Sequence, residues 1–176
     1  MRKKIKSAAF LCLAAVILLS FSSCIPARKD IKTVISEYIE IDVSAGEVVT
    51  HWDTHGGFLG DGDTFAEIKL EDESIEDEIK ENGNWKELPF SDNMTALLYG
   101  LVSENVHAGP YLDDENGDPF FPEIKNGYYF FYDRHSEASL SKRYDESEVF
   151  DRASFNFVTA IYDTDTGTLY YWKFDT

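Results

Sequence analysis

Phe155-Asn-Phe-Val-Thr-Ala-Ile-Tyr162, Asp163-Thr-Asp-Thr-Gly167 and Thr168-Leu-Tyr-Tyr-Trp-Lys-Phe174 form the stretch that decides the fold. Both flanks are rich in aromatic and β-branched residues, which fit a pleated, half-buried surface. The five residues between them are turn formers: aspartate bonds its own backbone, and glycine takes positive φ without a steric penalty. Two extended runs joined this way read as an antiparallel hairpin. Just upstream, Gly127 to Asp133 packs Tyr128, Tyr129, Phe130, Phe131 and Tyr132 into a third strand. Glu47 to His55 and Thr64 to Leu70, on either side of a glycine-rich segment, read as two more.

Between early and late strands the apolar period changes. Ile31, Val34, Ile35 and Tyr38 follow the i, i+3, i+4, i+7 spacing of a helix with one buried stripe. Glu71 to Glu81 is strongly acidic, with Ile75 and Ile79 one turn apart and Lys80 near its end, the pattern of a charged surface helix. Ser91 is placed to cap a third helix, with Met94, Leu97, Leu98 and Leu101 along one face and Gly100 limiting its length. Trp85 and Leu88-Pro89 read as a buried loop anchor, 104–126 as loop and 134–149 as a polar excursion. The expectation is a single α+β domain over residues 30–176, a mainly antiparallel sheet of about five strands with two or three helices.

The start of the chain has a different chemistry. Arg2, Lys3, Lys4 and Lys6 precede an uncharged run from Ala8 to Leu19, then Ser20-Phe-Ser-Ser and Cys24. The run is short for a helix that must cross about 30 Å of hydrocarbon, so 1–23 reads as a secretory signal peptide. Phe21-Ser-Ser-Cys24 resembles the lipobox of bacterial lipoproteins, with phenylalanine where leucine is usual. That resemblance implies that Cys24 is acylated (palmitate-type chains), that 24–29 is a tether, and that the domain is anchored on the extracytoplasmic face of a bacterial cell membrane. Two or more acyl chains anchor stably at about 0.8 kcal/mol per buried CH₂. Cys12 would leave with the signal peptide, so Cys24 would be the one cysteine of the mature chain and no internal disulfide would form.

Formal net charge is −17, and without the four basic residues of the signal 12 basic face 33 acidic residues, a net charge of −21. No basic patch is present to displace counterions from phosphates, so nucleic acid is excluded as a partner. The balance suits cations, basic partners or plain solubility.

His51-Trp-Asp-Thr-His55-Gly-Gly-Phe-Leu-Gly-Asp-Gly-Asp63 concentrates the groups that carry chemistry. On a strand His51, Asp53 and His55 share one face. With Asp61 and Asp63 returning from the turn they form a candidate site for zinc, or for calcium through the carboxylates and loop carbonyls. A polar strand edge followed by a glycine turn accounts for the same residues. Phe58 and His135 are candidate binding residues, and Asp133-Arg134-His135 would complete an acid–base pair with His55 and Asp61 if the fold brings them together. The glycine spacing matches no phosphate loop, and neither H-E-x-x-H nor G-x-S-x-G is present.

His55-Gly-Gly-Phe-Leu-Gly-Asp-Gly62 resembles a motif of small bacterial lipoproteins, together with Trp85-x-x-Leu88-Pro89, the strand from Asn126 to Tyr129 and the hairpin from Ile161 to Asp165. The resemblance spans roughly residues 30 to 176 and implies no catalytic residues. The expected function is a membrane-anchored, non-enzymatic domain that binds a protein or small ligand without a cofactor. The rivals are a metal-dependent site at 51–63 and an immunity- or inhibitor-type protein that docks on a basic partner.

Overall fold

The computed structural model describes residues 29–56, 60–72, 74–102, 107–135 and 142–176. The chain divides into two units, Met1–Asp30 and Ile31–Thr176. The expected signal peptide and Cys24 lie outside the described residues, and the elements below belong to the second unit.

Six strands form one antiparallel sheet in the order β1-β2-β8-β7-β6-β3, with β1 Glu47–Asp53, β2 Gly62–Lys69, β3 Trp85–Glu87, β6 Gly127–Asp133, β7 Asn156–Asp163 and β8 Thr168–Asp175. The helices are α1 Ile31–Ile39, α2 Ser74–Glu81 and α3 Asp92–Tyr99; a two-stranded ribbon, β4 Leu101–Val102 and β5 His107–Ala108, follows α3. The α+β expectation holds, with one more strand in the main sheet than expected.

Side-chain alternation splits the core in two. On one face Ala66, Ile68, Phe130, Ala160 and Tyr171 meet Ile35 and Ile39 of α1 and Ile75 and Ile79 of α2. On the other, Phe65, Phe131, Phe157 and Trp172 meet Met94, Leu97 and Leu98 of α3, with Leu112, Phe121, Ile124 and Val149 from the long loops. Cover on both faces explains why β7 is a near-continuous buried run instead of a polar–apolar alternation. The β7–β8 turn uses its aspartate as turn chemistry requires: Asp163 Oδ1 accepts from Asp165 N–H at 3.0 Å, Asp163 Oδ2 from the Thr166 hydroxyl at 2.8 Å, and Gly167 has φ 62°.

Two local readings change. Trp85 to Glu87 is an edge strand rather than a loop, because three residues are too few to show a two-residue period. Trp85 is buried, and its indole N–H donates to Ile39 O at 3.1 Å. Ser91 caps α3 as expected, accepting from Met94 N–H at 3.2 Å, but the helix ends at Tyr99. Gly100 turns the chain at φ 78° and its N–H closes on Ala96 O, so Leu101 leaves the helix face and stands 39% exposed in β4. The first helix stops at Ile39, where Glu40 takes φ 60°; Ile41 and Val43 then bury their side chains from an irregular segment. Strand β1 carries a bulge at Val49, between Val48 opposite Ile68 and Thr50 opposite Glu67.

Candidate functional site

The segment 51–63 is built on the outer strand pair. His51 lies opposite Ala66 and Asp53 opposite Thr64, so both project from the α1/α2 face of the sheet. The strand ends at Asp53, and there the chain folds back. Asp53 Oδ1 accepts from the backbone N–H of His55 at 2.9 Å and lies 2.8 Å from His55 Nδ1. Gly62 makes this approach possible. Its φ is 150°, and a Cβ there would sit 2.7 Å from His55 N and 2.8 Å from His55 Cα. One glycine of the motif is thus fixed by a close backbone contact.

On its other side the imidazole meets the last strand. His55 Nε2 is 3.0 Å from Asp175 Oδ2, and Lys173 Nζ is 3.4 Å from the same nitrogen. Asp175 also pairs with Lys173 and, through its second oxygen, with Arg134 Nη1. The Thr64 hydroxyl is 3.3 Å from His55 Nδ1. Side-chain exposure is 17% for His55 and 11% for Asp175. Two carboxylates and two cations therefore surround one imidazole whose nitrogens both face carboxylate oxygens. A ring donating from both nitrogens satisfies both contacts; a neutral ring can keep Asp53 and accept from Lys173 instead. The doubly donating ring has no lone pair to offer, and the lone pair of the neutral ring faces Lys173, so metal binding or general-base work would have to displace a partner already in place. The arrangement pins the turn after β1 to the end of β8.

The remaining expected residues separate. Asp63 projects to the opposite face, where Oδ1 accepts from the Trp172 indole N–H at 2.8 Å. Burial holds its carboxyl above the usual range, opposed by the Trp172 donor and by His55. Asp61 and His51 are exposed. Phe58 lies outside the described residues. His135 Nε2 is 3.1 Å from the Ser154 hydroxyl. With the Asn156 amide oriented to suit its neighbours, Asn156 Oδ1 accepts from His135 Nε2 and Nδ2 donates to Asp175 Oδ1, each at 3.1 Å. His135 thus reaches the His55 cluster indirectly, and Arg134 reaches it directly. Among the described residues no group of three His, Cys, Asp or Glu is placed to hold a metal ion. Thr64, Lys173 and Asp175 join the cluster without having been singled out in the sequence. The available signal was two charged residues spaced two apart with Tyr171 on a strand otherwise apolar.

A second feature lies at the opposite end of β1 and β2. A cleft of about 560 Å³ opens between the 42–47 turn, the end of β2 and the start of α2. Asp42, Glu47, Glu71, Asp72 and Glu78 line it, with Lys69 as the one lining cation among the described residues, Lys32 beside the 44–46 turn, and Leu70, Ile75 and Ala45 as its apolar part. The Ser44 backbone N–H and hydroxyl hold the Asp42 carboxyl below the ordinary range, and Ser74 does the same for Asp72. Both are anionic across neutral and mildly acidic pH.

Comparison with family models, curated proteins and solved structures gives no match to this chain. The lipoprotein resemblance rests on its motif residues alone.

Proposed function

We propose that the mature chain is a lipid-tethered, extracytoplasmic, non-enzymatic binding domain that docks a basic partner. The observation that carries this reading is the cleft beside α2: five carboxylates, two of them held ionised by local hydrogen bonds, around the apolar side chains of Leu70 and Ile75. That combination suits a lysine or arginine, whose aliphatic stem lies on apolar surface while its head stays among anions. The net charge of −21 without the signal residues adds a field that speeds encounter with a basic protein. The basic start, short apolar run and Cys24 supply the tether, and the self-neutralised His55 cluster fits a part that holds shape.

The test is a pull-down of exported proteins with the acylated chain at graded salt. Basic partners should be retained near physiological ionic strength and released toward about 1 M salt, where the Debye length falls to roughly 3 Å. Recovery indifferent to salt, or turnover of an envelope substrate that disappears in His55→Ala, overturns the reading. A labelled palmitate analogue should enter the wild-type chain and not Cys24→Ser.

A further inference from the structure

Beside this cleft runs a sheet edge. Strand β1 is the outer strand, and among the described residues no strand pairs with its outer side. The Thr54 N–H donates to Asp63 O at 2.8 Å, which fixes the alternation of the ladder. Thr50, Trp52 and Thr54 bond toward β2, and the backbone N–H and C=O groups of His51 and Asp53 point outward. The side chains here also meet solvent: His51 and Asp53 are exposed, and Val49, on the bulge, is 56% exposed. Trp52 is half-buried, stacked on Phe65 at 5.6 Å and edge-on to Phe120 at 5.7 Å. Glu47, at the start of the same strand, lines the acidic cleft.

We propose that β1 takes up an extended, basic segment of a partner protein as an added strand. The partner's backbone bonds to the outward groups of His51 and Asp53, its apolar side chains rest on Trp52, and its basic side chains, on the opposite face, lie toward the acidic cleft. The bulge at Val49 confines the ladder to the His51–Asp53 end, so the added strand is short and charge supplies much of the attraction. A chain this acidic repels a second copy of itself at that edge. The inference rests on the basic-partner reading and adds the mode of docking.

His51→Pro separates the two. Proline at 51 deletes an outward N–H and no bond to β2, a substitution an edge strand accepts. The probe is a synthetic peptide of alternating lysine and valine, with a glutamate–valine peptide as control. Binding of the lysine peptide should slow hydrogen exchange at the His51 and Asp53 amides. His51→Pro should weaken it roughly tenfold, the scale of one or two lost hydrogen bonds, with thermal stability kept. Equal binding to wild type and His51→Pro, with those amides unprotected, overturns strand addition and leaves the basic-partner reading standing. Should His51→Pro unfold, protection of the two amides in the wild type decides alone. Failure of both the lysine–valine peptide and polylysine to bind overturns both readings, and equal binding of the glutamate peptide overturns the charge requirement.

Discussion

His55 Nε2 lies 3.0 Å from Asp175 Oδ2, joining the turn after β1 to the end of β8 across 120 positions of sequence. Asp53 holds the other ring nitrogen at 2.8 Å. Histidine and aspartate in such contact invite a catalytic reading; the second carboxylate, with Lys173 and Arg134 beside it, makes the group a clasp.

Removing the clasp should cost stability. Exposed ion pairs contribute about 0–1 kcal/mol and breaking a buried pair costs about 3–5 kcal/mol; a side chain 17% exposed falls between them. His55→Ala is expected to lose about 1–3 kcal/mol in urea unfolding, and His55→Gln, which keeps a polar group at each end, should lose less. A loss in His55→Ala within error of zero would show that the cluster holds nothing.

Gly62→Ala reaches the same clasp through the backbone. Its Cβ would stand 2.7 Å from His55 N at a φ of 150°. The strain and the displaced His55 should together cost about 1–3 kcal/mol. Because the two changes strike one feature, the Gly62→Ala/His55→Ala double variant should lose clearly less than the sum of the singles. Strict additivity would mean that Gly62 and His55 are energetically independent.

The fold was legible where the physics is local, and the site was not. The hairpin, the aromatic strand β6, the apolar stripes of α1 and α2 and the Ser91 cap follow from periodicity and turn chemistry within a few residues. Asp53 and His55 were expected side by side on one strand face; they meet instead because the strand ends at Asp53 and the chain folds back there. Asp175, Lys173 and Arg134 could not be placed, because which strand ends lie side by side is set by the β2–β8 and β6–β7 pairings. Asp63 shows the limit from the other side. It is close to His55 in sequence, yet the alternation of β2 turns it through the sheet to Trp172.

Asp63 gives a pH-dependent prediction. Its folded carboxyl titrates above its unfolded value, so it weakens the fold as pH rises through that interval. Asp63→Asn keeps an oxygen for the Trp172 indole and removes the buried charge. Its stability relative to wild type should therefore improve as pH is raised from about 3 to 7. Asp63→Ala leaves the indole N–H unpaired and should cost about 1–3 kcal/mol. Parallel stability–pH curves for wild type and Asp63→Asn would contradict the assignment.

Tyr129 supplies an alkaline counterpart. Its hydroxyl donates to the buried carboxylate of Glu146 at 3.2 Å, and burial together with that charge pushes it up to about 12. The folded value exceeds the unfolded one, so the stabilisation is complete below about 10 and is lost as pH rises toward 12. Ultraviolet titration should show one late-ionising tyrosine moving earlier in Glu146→Gln. An unmoved titration would place the cause in burial alone.

The most direct test of the docking account is calorimetric titration of a lysine–valine peptide into wild type and into the double variant Glu47→Lys/Glu71→Lys. Both carboxylates line the acidic cleft and both are exposed, so the fold should be unaffected. The account predicts binding to wild type that weakens with salt and falls by roughly tenfold or more in the variant. Undiminished affinity in the variant, at equal stability, would contradict it.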